Sequence, residues 1–478
     1  MKIKTRINAK SAIGIWITLS LFALSNFLLL LINYTESSLW ISLFAIITII
    51  ALIENSIVLI YSGYSIFSIA LAFIALSYLF SFGQVYINAW LPNHKFITSN
   101  FLWPMNDIMR KALVFSYNVI QLVVVGMMLT REEKNVLVDS IKSKDAHINI
   151  RRLAIIICII TVPMRLYYIY RLIVQTRLNT YKLAVVENFS GVFIQLSYFC
   201  LIGYILLMLS FDRNIIKARM VLVLSVLLLG AEMLSGGRVY AVVSIISIVY
   251  CYINCIEKPK KKTLIAVLIA GFFALKLLTV ITTLRTSSVI TISAIGKGLL
   301  STDHSFIVNA LDEFGSTFFT IRETLTEVPS NLPYHYGQSY IKAWSLVLLN
   351  INGMLEPLQQ SIEYPVKFAL KYAYGGSYIG ELYYNFGYIG LLFAPLIGIL
   401  IGKISNKTYC YLVAKRYYSL AYWIMPMFAS LMWVRGYFNV FTRGVVWGIV
   451  FIFILSRLCL KRNYGALHVQ NQYNYSSL

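Results

Sequence analysis

The sequence predicts an all-α polytopic membrane protein with about twelve transmembrane helices. Hydrophobic residues make up 59% of the chain and charged residues 13%, and the mean hydropathy is +0.73. Soluble domains contain about 45–50% apolar and about 25% charged residues, so this chain carries more apolar surface than a soluble core requires. Because lipid offers no partner to a backbone amide, each membrane-spanning run must be helical.

Apolar runs long enough to cross a bilayer recur from one end of the chain to the other. The first follows the basic residues 2–10 and has no small-residue cleavage site after it, so we expect it to be retained as a membrane helix and not removed as a signal peptide. The predicted spans in chain order are 12–32, 39–60, 65–80, 112–129, 153–170, 191–209, 220–234, 239–255, 264–284, 386–401, 420–434 and 445–460.

The basic residues predict the orientation, because short connections rich in Lys and Arg remain on the cytoplasmic side. They cluster in alternate connections between the predicted spans. These basic segments are 2–10, 131–152, 213–219, 258–262, 403–416 and 461–462. Both termini are therefore predicted to be cytoplasmic. The same topology explains the net charge of +22, so we expect a lipid bilayer and no nucleic acid as the partner of these charges.

A single integral membrane domain, residues 1–478, is expected, with one large and mostly helical outer loop, residues 285–385, between helices 9 and 10. Loops of this length are usually functional. Residues 305–328 have the apolar spacing of an amphipathic helix, which either lies on the outer leaflet or caps the helix bundle. The loop is rich in tyrosine, a residue type suited equally to a membrane interface and to contact with a sugar ring. A second outer connection, residues 84–111, is predicted to be irregular or interfacial.

Several arginines lie at the outer rim of the predicted membrane region, where charged groups tend to be functional. Arg238 follows Gly236 and Gly237, whose lack of side chains lets a bulky anion approach, and a guanidinium group binds phosphate oxygens bidentately. The other rim arginines are Arg165, Arg285, Arg435 and Arg443. If the spans form one bundle, these groups face an outer cavity suited to a pyrophosphate. The alternative is that each arginine only extends to lipid phosphate.

Metal and cofactor chemistry are not expected. None of the six cysteines lies in the large loop, and they lie in or near the predicted spans. No carboxylate cluster has the character of a metal site, so we expect a metal-independent reaction without a cofactor.

Three sequence segments together resemble the Wzy-type O-antigen polymerases, which are bacterial oligosaccharide repeat-unit polymerases. The segment 375–390, Gly-Gly-Ser-Tyr-Ile-Gly-Glu-Leu-Tyr-Tyr-Asn-Phe-Gly-Tyr-Ile-Gly, resembles the entry to a late transmembrane helix in that family. Residues 235–238, Ser-Gly-Gly-Arg, resemble its central Gly-Arg turn, and residues 336–340, Tyr-Gly-Gln-Ser-Tyr, resemble its Gly-x-Ser-Tyr loop element. The resemblance extends from about residue 165 to residue 443, in matching order.

The resemblance implies a polymerase at the periplasmic face of the bacterial inner membrane, which joins repeat units carried on undecaprenyl diphosphate. The implied partners are these lipid-linked oligosaccharides and, in addition, a polysaccharide chain-length regulator. Fixed guanidinium groups would stabilise the departing diphosphate, and a carboxylate or histidine would accept the proton of the acceptor hydroxyl. The candidate catalytic residues are Arg238, Glu381, His304 and Asp303. The candidate residues for binding pyrophosphate or glycan are Arg165, Gly236, Gly237, Arg285, Arg322, Tyr340, Tyr383, Arg435 and Arg443.

Three other functions are compatible with the sequence. An O-antigen ligase has the same topology and the same leaving group, and differs in its acceptor. A lipid-linked oligosaccharide flippase would not need so long an outer loop. A glycosyltransferase that uses a polyprenyl-phosphate donor is expected to show an acidic pair in the first outer loop, where residues 33–38 contain only Glu36.

Overall fold

The described part of the chain is helical. The computed structural model describes residues 9–32, 36–96, 99–102, 105–130, 149–178, 191–235, 238–257, 306–350, 353–363, 365 and 375–475, and these ranges contain no strand. The α-helices are α1 (Ala9–Leu31), α2 (Ser37–Tyr61), α3 (Ile69–Trp90), α4 (Asp107–Leu129), α5 (Ile150–Leu178), α6 (Gly191–Tyr198), α7 (Cys200–Leu209), α8 (Ile215–Ala231), α9 (Arg238–Cys255), α10 (Phe306–Gly315), α11 (Phe318–Glu327), α12 (Gln338–Ser345), α13 (Glu356–Ile362), α14 (Tyr378–Phe386), α15 (Ala394–Val413), α16 (Tyr417–Trp433) and α17 (Phe438–Tyr475). The predicted all-α class is confirmed.

Seven segments within the described residues are long and apolar enough to cross a membrane, and a bent pair of helices adds an eighth. The seven are Ala9–Leu31, Ser37–Tyr61, Ile69–Trp90, Asp107–Leu129, Ile150–Val174, Gly191–Leu209 and Phe438–Arg457. A membrane-integral protein is therefore supported. The predicted ninth span, residues 264–284, lies outside the described residues, and the total of twelve spans stays a prediction.

Helix α3 corrects the prediction that an irregular outer connection starts at Gln84. The helix continues to Trp90 because its polar residues have side-chain partners. Gln84 Nε2 donates to Asp312 Oδ1 and to the Ser99 carbonyl, both at 3.0 Å, and the amides of Asn88 and Asn100 bond to each other. A hydropathy pattern shows that these residues are polar, but it contains no information on whether their hydrogen bonds are satisfied within the protein.

The predicted span 386–401 is also corrected, because the chain bends sharply within it. Helix α14 ends at Phe386, a 3₁₀ helix occupies Gly387–Leu392, and the Tyr378–Leu392 segment meets α15 at 94°. Gly387 has φ of 56°, a conformation that favours glycine, and a Cβ atom there would lie 2.8 Å from Cε1 of Tyr334. This backbone conformation ends α14, whereas the 94° bend lies at Phe393, between the 3₁₀ helix and α15.

The amphipathic segment predicted at residues 305–328 forms two helices, α10 and α11, instead of one. Between them the Ser316 hydroxyl donates to the Glu313 carbonyl at 2.6 Å, and the Thr317 hydroxyl donates to the Phe314 carbonyl. Such bonds compete with helix continuation. Helix α10 packs against α3, and α11 packs against α4 and α14. Of the two predicted alternatives, these contacts favour a segment that caps the helix bundle.

The chain divides into two compact units, each built from separate stretches of sequence. The first unit consists of Met1–Leu137, Pro259–Asn406 and Ser430–Thr442, and the second of Val138–Lys258, Lys407–Ala429 and Arg443–Leu478.

In the first unit, α4 and α15 approach each other closely at two glycines. A Cβ atom at Gly126 would lie 2.0 Å from the Pro395 carbonyl oxygen, and one at Gly398 would lie 2.0 Å from the Val123 carbonyl oxygen. Neither position has room for a side chain, so these two helices depend on glycine for their contact.

Candidate functional site

The motif segment that contains Glu381 begins with a close backbone approach in the first unit. A Cβ atom at Gly376 would lie 2.7 Å from the carbonyl carbon of Gly436, so only glycine fits there. The next residue, Ser377, is the N-cap of α14, and its hydroxyl accepts a hydrogen bond from the Ile379 backbone N–H at 3.3 Å. Glu381 follows in the first turn of the helix.

The Glu381 carboxylate is fully buried and joins three segments of the chain. Its Oε1 accepts from the Ser339 hydroxyl of α12 at 2.7 Å, and its Oε2 accepts from the Phe438 backbone N–H at the start of α17, also at 2.7 Å. Asn385 Nδ2 donates to the Ser339 hydroxyl and to the Glu381 carbonyl, both at 2.7 Å. We call Glu381, Ser339, Asn385 and the Phe438 N–H the Glu381 cluster.

This cluster brings together two of the three motifs on which the family resemblance rests. Two backbone bonds reinforce the contact, since His335 N donates to the Tyr384 carbonyl and Tyr336 N donates to the Asn385 carbonyl, both at 2.9 Å. Gly337, with φ of 81°, then turns the chain into α12. The Gly-x-Ser-Tyr element is therefore held in place by the late-helix motif.

The loop aromatics divide into buried and exposed groups. Tyr340 stacks parallel to Phe386 with ring centroids 6.2 Å apart, and Tyr383 is 4% exposed, so these two predicted glycan contacts are mainly packing residues. Among the loop aromatics that the structure describes, Tyr336 and Trp344 have exposed rings, at 74% and 58%. Part of the tyrosine enrichment thus serves the core, a use not included among the two alternatives predicted.

His335 is a candidate that the sequence reasoning missed. Its Nε2 lies 3.3 Å from the Lys342 ammonium, and its ring contacts Tyr384 with centroids 4.7 Å apart. Burial lowers the pKa of His335, and the positive charge of Lys342 lowers it further. A half-buried, neutral imidazole beside exposed aromatic rings is suited to contact a sugar hydroxyl. The only sequence signal was its place next to the Gly-x-Ser-Tyr element.

The second unit contains a buried ion pair between Arg165 of α5 and Glu232. Glu232 is the first residue of the 3₁₀ helix Glu232–Ser235. Arg165 Nη2 donates to Glu232 Oε2, and the two side chains are 2% and 1% exposed. The guanidinium carbon lies 4.4 Å from the ring centroid of Tyr198 and 5.6 Å from that of Tyr168. Tyr198 in turn stacks on Tyr240 with centroids 4.4 Å apart. These five residues are called the Arg165 cluster.

Two more of the predicted arginines have identified neighbours in their own units. Arg443 lies near the first residue of α6, since a Cβ atom at Gly191 would be 3.5 Å from Arg443 Nη1. Arg435 borders the Glu381 motif, where a Cβ atom at Gly375 would be 3.4 Å from Arg435 Nε.

Arg322, a predicted substrate-binding residue, is engaged within the protein. It pairs with Glu323, its Nη1 donates to the Phe101 carbonyl at 3.1 Å, and its guanidinium lies 4.6 Å from the ring centroid of Phe319. These bonds give Arg322 a role in holding α11 against the connection that contains Phe101.

The remaining candidates cannot be placed. Arg285, Asp303, His304, Gly236 and Gly237 lie outside the described residues, and Arg238 is described only as the backbone that begins α9. Among the residues that are described, no group of three or more His, Cys, Asp or Glu side chains could hold a metal ion. Metal independence stays a prediction.

One comparison with known proteins identifies a family. A family model described as O-antigen polysaccharide polymerase Wzy matches residues 14–463, nearly the whole chain. Neither a curated protein nor a solved structure matches the chain. The family resemblance inferred from three motifs is confirmed, and the match extends it to the first four predicted spans.

Proposed function

Because the chain belongs to the O-antigen polysaccharide polymerase Wzy family, we propose that it joins oligosaccharide repeat units carried on undecaprenyl diphosphate at the periplasmic face of the bacterial inner membrane. The observation that carries this proposal is the family match over residues 14–463. The proposal is also supported by the hydrogen bonds between the Gly-x-Ser-Tyr element and the late-helix motif. These bonds build a defined structure from the residues that resemble the family.

In the proposed reaction the growing glycan is transferred to the next lipid-linked unit. The bond between the anomeric carbon and its diphosphate breaks, a glycosidic bond to the acceptor hydroxyl forms, and the hydroxyl proton passes to a basic group. Negative charge grows on the departing diphosphate, so positioned guanidinium groups lower the barrier. We assign this role to Arg238, with Arg165, Arg285 and Arg443 in support.

Within the first unit, we propose that the segment around the Gly-x-Ser-Tyr element contacts the glycan. Tyr336 and Trp344 present exposed rings there, and aromatic rings pack on the apolar faces of sugars while their polar groups remain free to hydrogen-bond. His335, on the same segment, is a neutral base candidate in addition to Asp303 and His304.

We assign Glu381 a positioning role in this reaction. Both of its carboxylate oxygens accept hydrogen bonds from the protein, and the side chain is buried, so it holds Ser339 and the start of α17 in register. Its use as the general base stays a prediction. A comparison of turnover with melting temperature in Glu381→Gln tests it.

The decisive experiment uses the purified chain and undecaprenyl diphosphate-linked repeat units from its host strain. A ladder of polymer on a gel, formed without other proteins, is the expected result. No ladder, but transfer of preformed polymer after lipid A-core is added, would make the protein a ligase. Passage of lipid-linked units across liposome membranes with neither reaction would make it a flippase.

A matched pair of arginine variants tests the assigned chemistry. Arg238→Ala should abolish the ladder while membrane insertion is retained. Arg219→Ala is the control, because Arg219 is 55% exposed and pairs with Glu257 at 2.8 Å on a surface predicted to be cytoplasmic. A normal ladder from well-expressed Arg238→Ala would remove Arg238 from the site.

A further inference from the structure

The Arg165–Glu232 ion pair has features that stability alone does not explain. The two residues are 67 positions apart in sequence, and both are almost completely buried. Each of two buried charges carries a large desolvation penalty, and a buried pair is often no more stabilising than apolar residues of similar volume.

Arg165 is also only partly satisfied. A guanidinium group has five N–H donors. One bond from Nη2 goes to Glu232, and the guanidinium also lies within reach of the Tyr198 hydroxyl, whereas Nε and Nη1 have no acceptor with good hydrogen-bond geometry among the described residues. A buried cationic N–H group without an acceptor costs free energy, so the arrangement leaves a donor edge available for an anion.

The surroundings of Arg165 fix the direction of that edge. The guanidinium lies over the ring of Tyr198, and Tyr198 stacks on Tyr240 at an interplanar angle of 14°. The Tyr198 ring packs against the guanidinium, and the Glu232 carboxylate holds its Nη2. Tyr240 also interacts electrostatically with Arg443, so a second cation belongs to the same surroundings.

We propose that Glu232 is a positioning residue, which holds the Arg165 guanidinium so that its free N–H groups bind the diphosphate of the lipid-linked donor. This inference rests on the proposed function, since it takes the diphosphate from it. Without ligand, Glu232 neutralises the buried cation. With ligand bound, its negative charge opposes the diphosphate, which weakens binding of the undecaprenyl diphosphate product and speeds its release.

The test measures the affinity of purified variants for undecaprenyl diphosphate, together with kcat and KM for polymer formation. Arg165→Ala and Glu232→Ala should each weaken affinity at least tenfold, and the double variant should bind no more weakly than Arg165→Ala. Glu232→Gln keeps an acceptor for Arg165 and removes the charge, so it should bind at least as tightly as the wild type, with a lower kcat. The control pair, Arg219→Ala and Glu257→Ala, removes a second ion pair of the same unit, whose arginine is 55% exposed, and should change neither quantity.

Distinct outcomes overturn the two proposals. Wild-type protein that neither binds undecaprenyl diphosphate nor forms polymer overturns the proposed function. If the wild type does both, then additive losses in the double variant, or binding by Glu232→Gln that is weaker than wild type, overturn the positioning role. Glu232→Gln has nearly the same shape as the native residue, so its result decides the question even if Glu232→Ala fails to fold.

Discussion

Glu381 accepts two hydrogen bonds from donors that are remote in sequence, and a glutamine cannot replace it fully. The amide oxygen of Glu381→Gln can accept from the Phe438 N–H while its NH₂ group donates to the Ser339 oxygen, but the Ser339 hydroxyl proton then loses its acceptor. Loss of one buried bond costs about 1–3 kcal/mol, so we expect a lower melting temperature together with a weaker polymer ladder. Glu356→Gln, at an exposed carboxylate in α13, is the control. Lost turnover at an unchanged melting temperature would instead favour Glu381 as the base.

His335 predicts a pH dependence of stability. Burial and the Lys342 ammonium both lower its pKa in the folded protein, whereas an unfolded histidine has a pKa of about 6.5. The unfolded chain then binds more protons below about pH 6.5, so stability is lost as the pH falls through this range and is regained above it. Thermal melts between pH 7.5 and 5 should show the decline reduced in His335→Gln and reduced partly in Lys342→Met. Identical declines in all three proteins would contradict this account.

At the residue scale, the sequence motifs singled out Glu381, which the fold places in a hydrogen-bonded cluster, but they could not supply its partners. Ser339 and Phe438 lie 42 and 57 positions away, and one of the two donors is a backbone N–H that carries no sequence signature. The rim arginines illustrate the opposite case. The sequence showed that Arg165 is a charged residue within an apolar segment. Its pairing with Glu232 became visible only in the fold.

At the scale of helices, the contact between α4 and α15 can be tested by adding one methyl group. Gly126→Ala places a Cβ atom against the Pro395 carbonyl, and overpacking of this kind typically costs about 1–3 kcal/mol. Gly230→Ala in α8 is the matched control, because a Cβ atom there meets nothing within 4 Å among the described residues and alanine favours a helix. The melting temperature should fall for the first variant and not for the second. Equal melting temperatures would show that the helices can separate at little cost.

Helix positions were predictable where apolar residues are continuous, as in α1 and α2, and less so where polar residues are paired. Helix α3 extends ten residues past its predicted end at residue 80, to Trp90, because Gln84 and Asn88 are satisfied within the protein. The end of α14 coincides with the positive φ of Gly387, and the 94° bend follows at Phe393. Both features arise from contacts between segments, to which a hydropathy window is insensitive.

For the whole molecule, the topology is a prediction that reporter fusions can test across the part of the chain that the structure does not describe. A fluorescent protein fused after Glu257 should fold in the cytoplasm, and alkaline phosphatase fused after Met354, a residue 76% exposed, should be active outside. This result requires an odd number of spans between the two sites, as the predicted span 264–284 provides. Activity of only one of the two fusions would place both sites on the same side and overturn that span, and activity of neither would overturn the orientation.

The division into two units was not predictable from hydropathy, because each unit combines segments from distant parts of the chain. A hydropathy profile orders helices along the sequence and contains no information on which of them pack together. The motifs did indicate that distant segments cooperate, and the Glu381 cluster is one place where this cooperation takes a physical form.

The Arg165–Glu232 pair also imposes an order of events during synthesis. Arg165 leaves the ribosome 67 residues before its counter-ion, and at about 5–20 residues per second this interval lasts roughly 3–13 s. Insertion scales give about 2.5–3.5 kcal/mol as the cost of an arginine at the centre of a membrane helix, which is an upper bound for Arg165, predicted nearer the outer rim. Helix α5 therefore enters the bilayer with an unpaired charge. Its insertion becomes more favourable only after α8 and the 3₁₀ helix that follows it, which contains Glu232, have been synthesised.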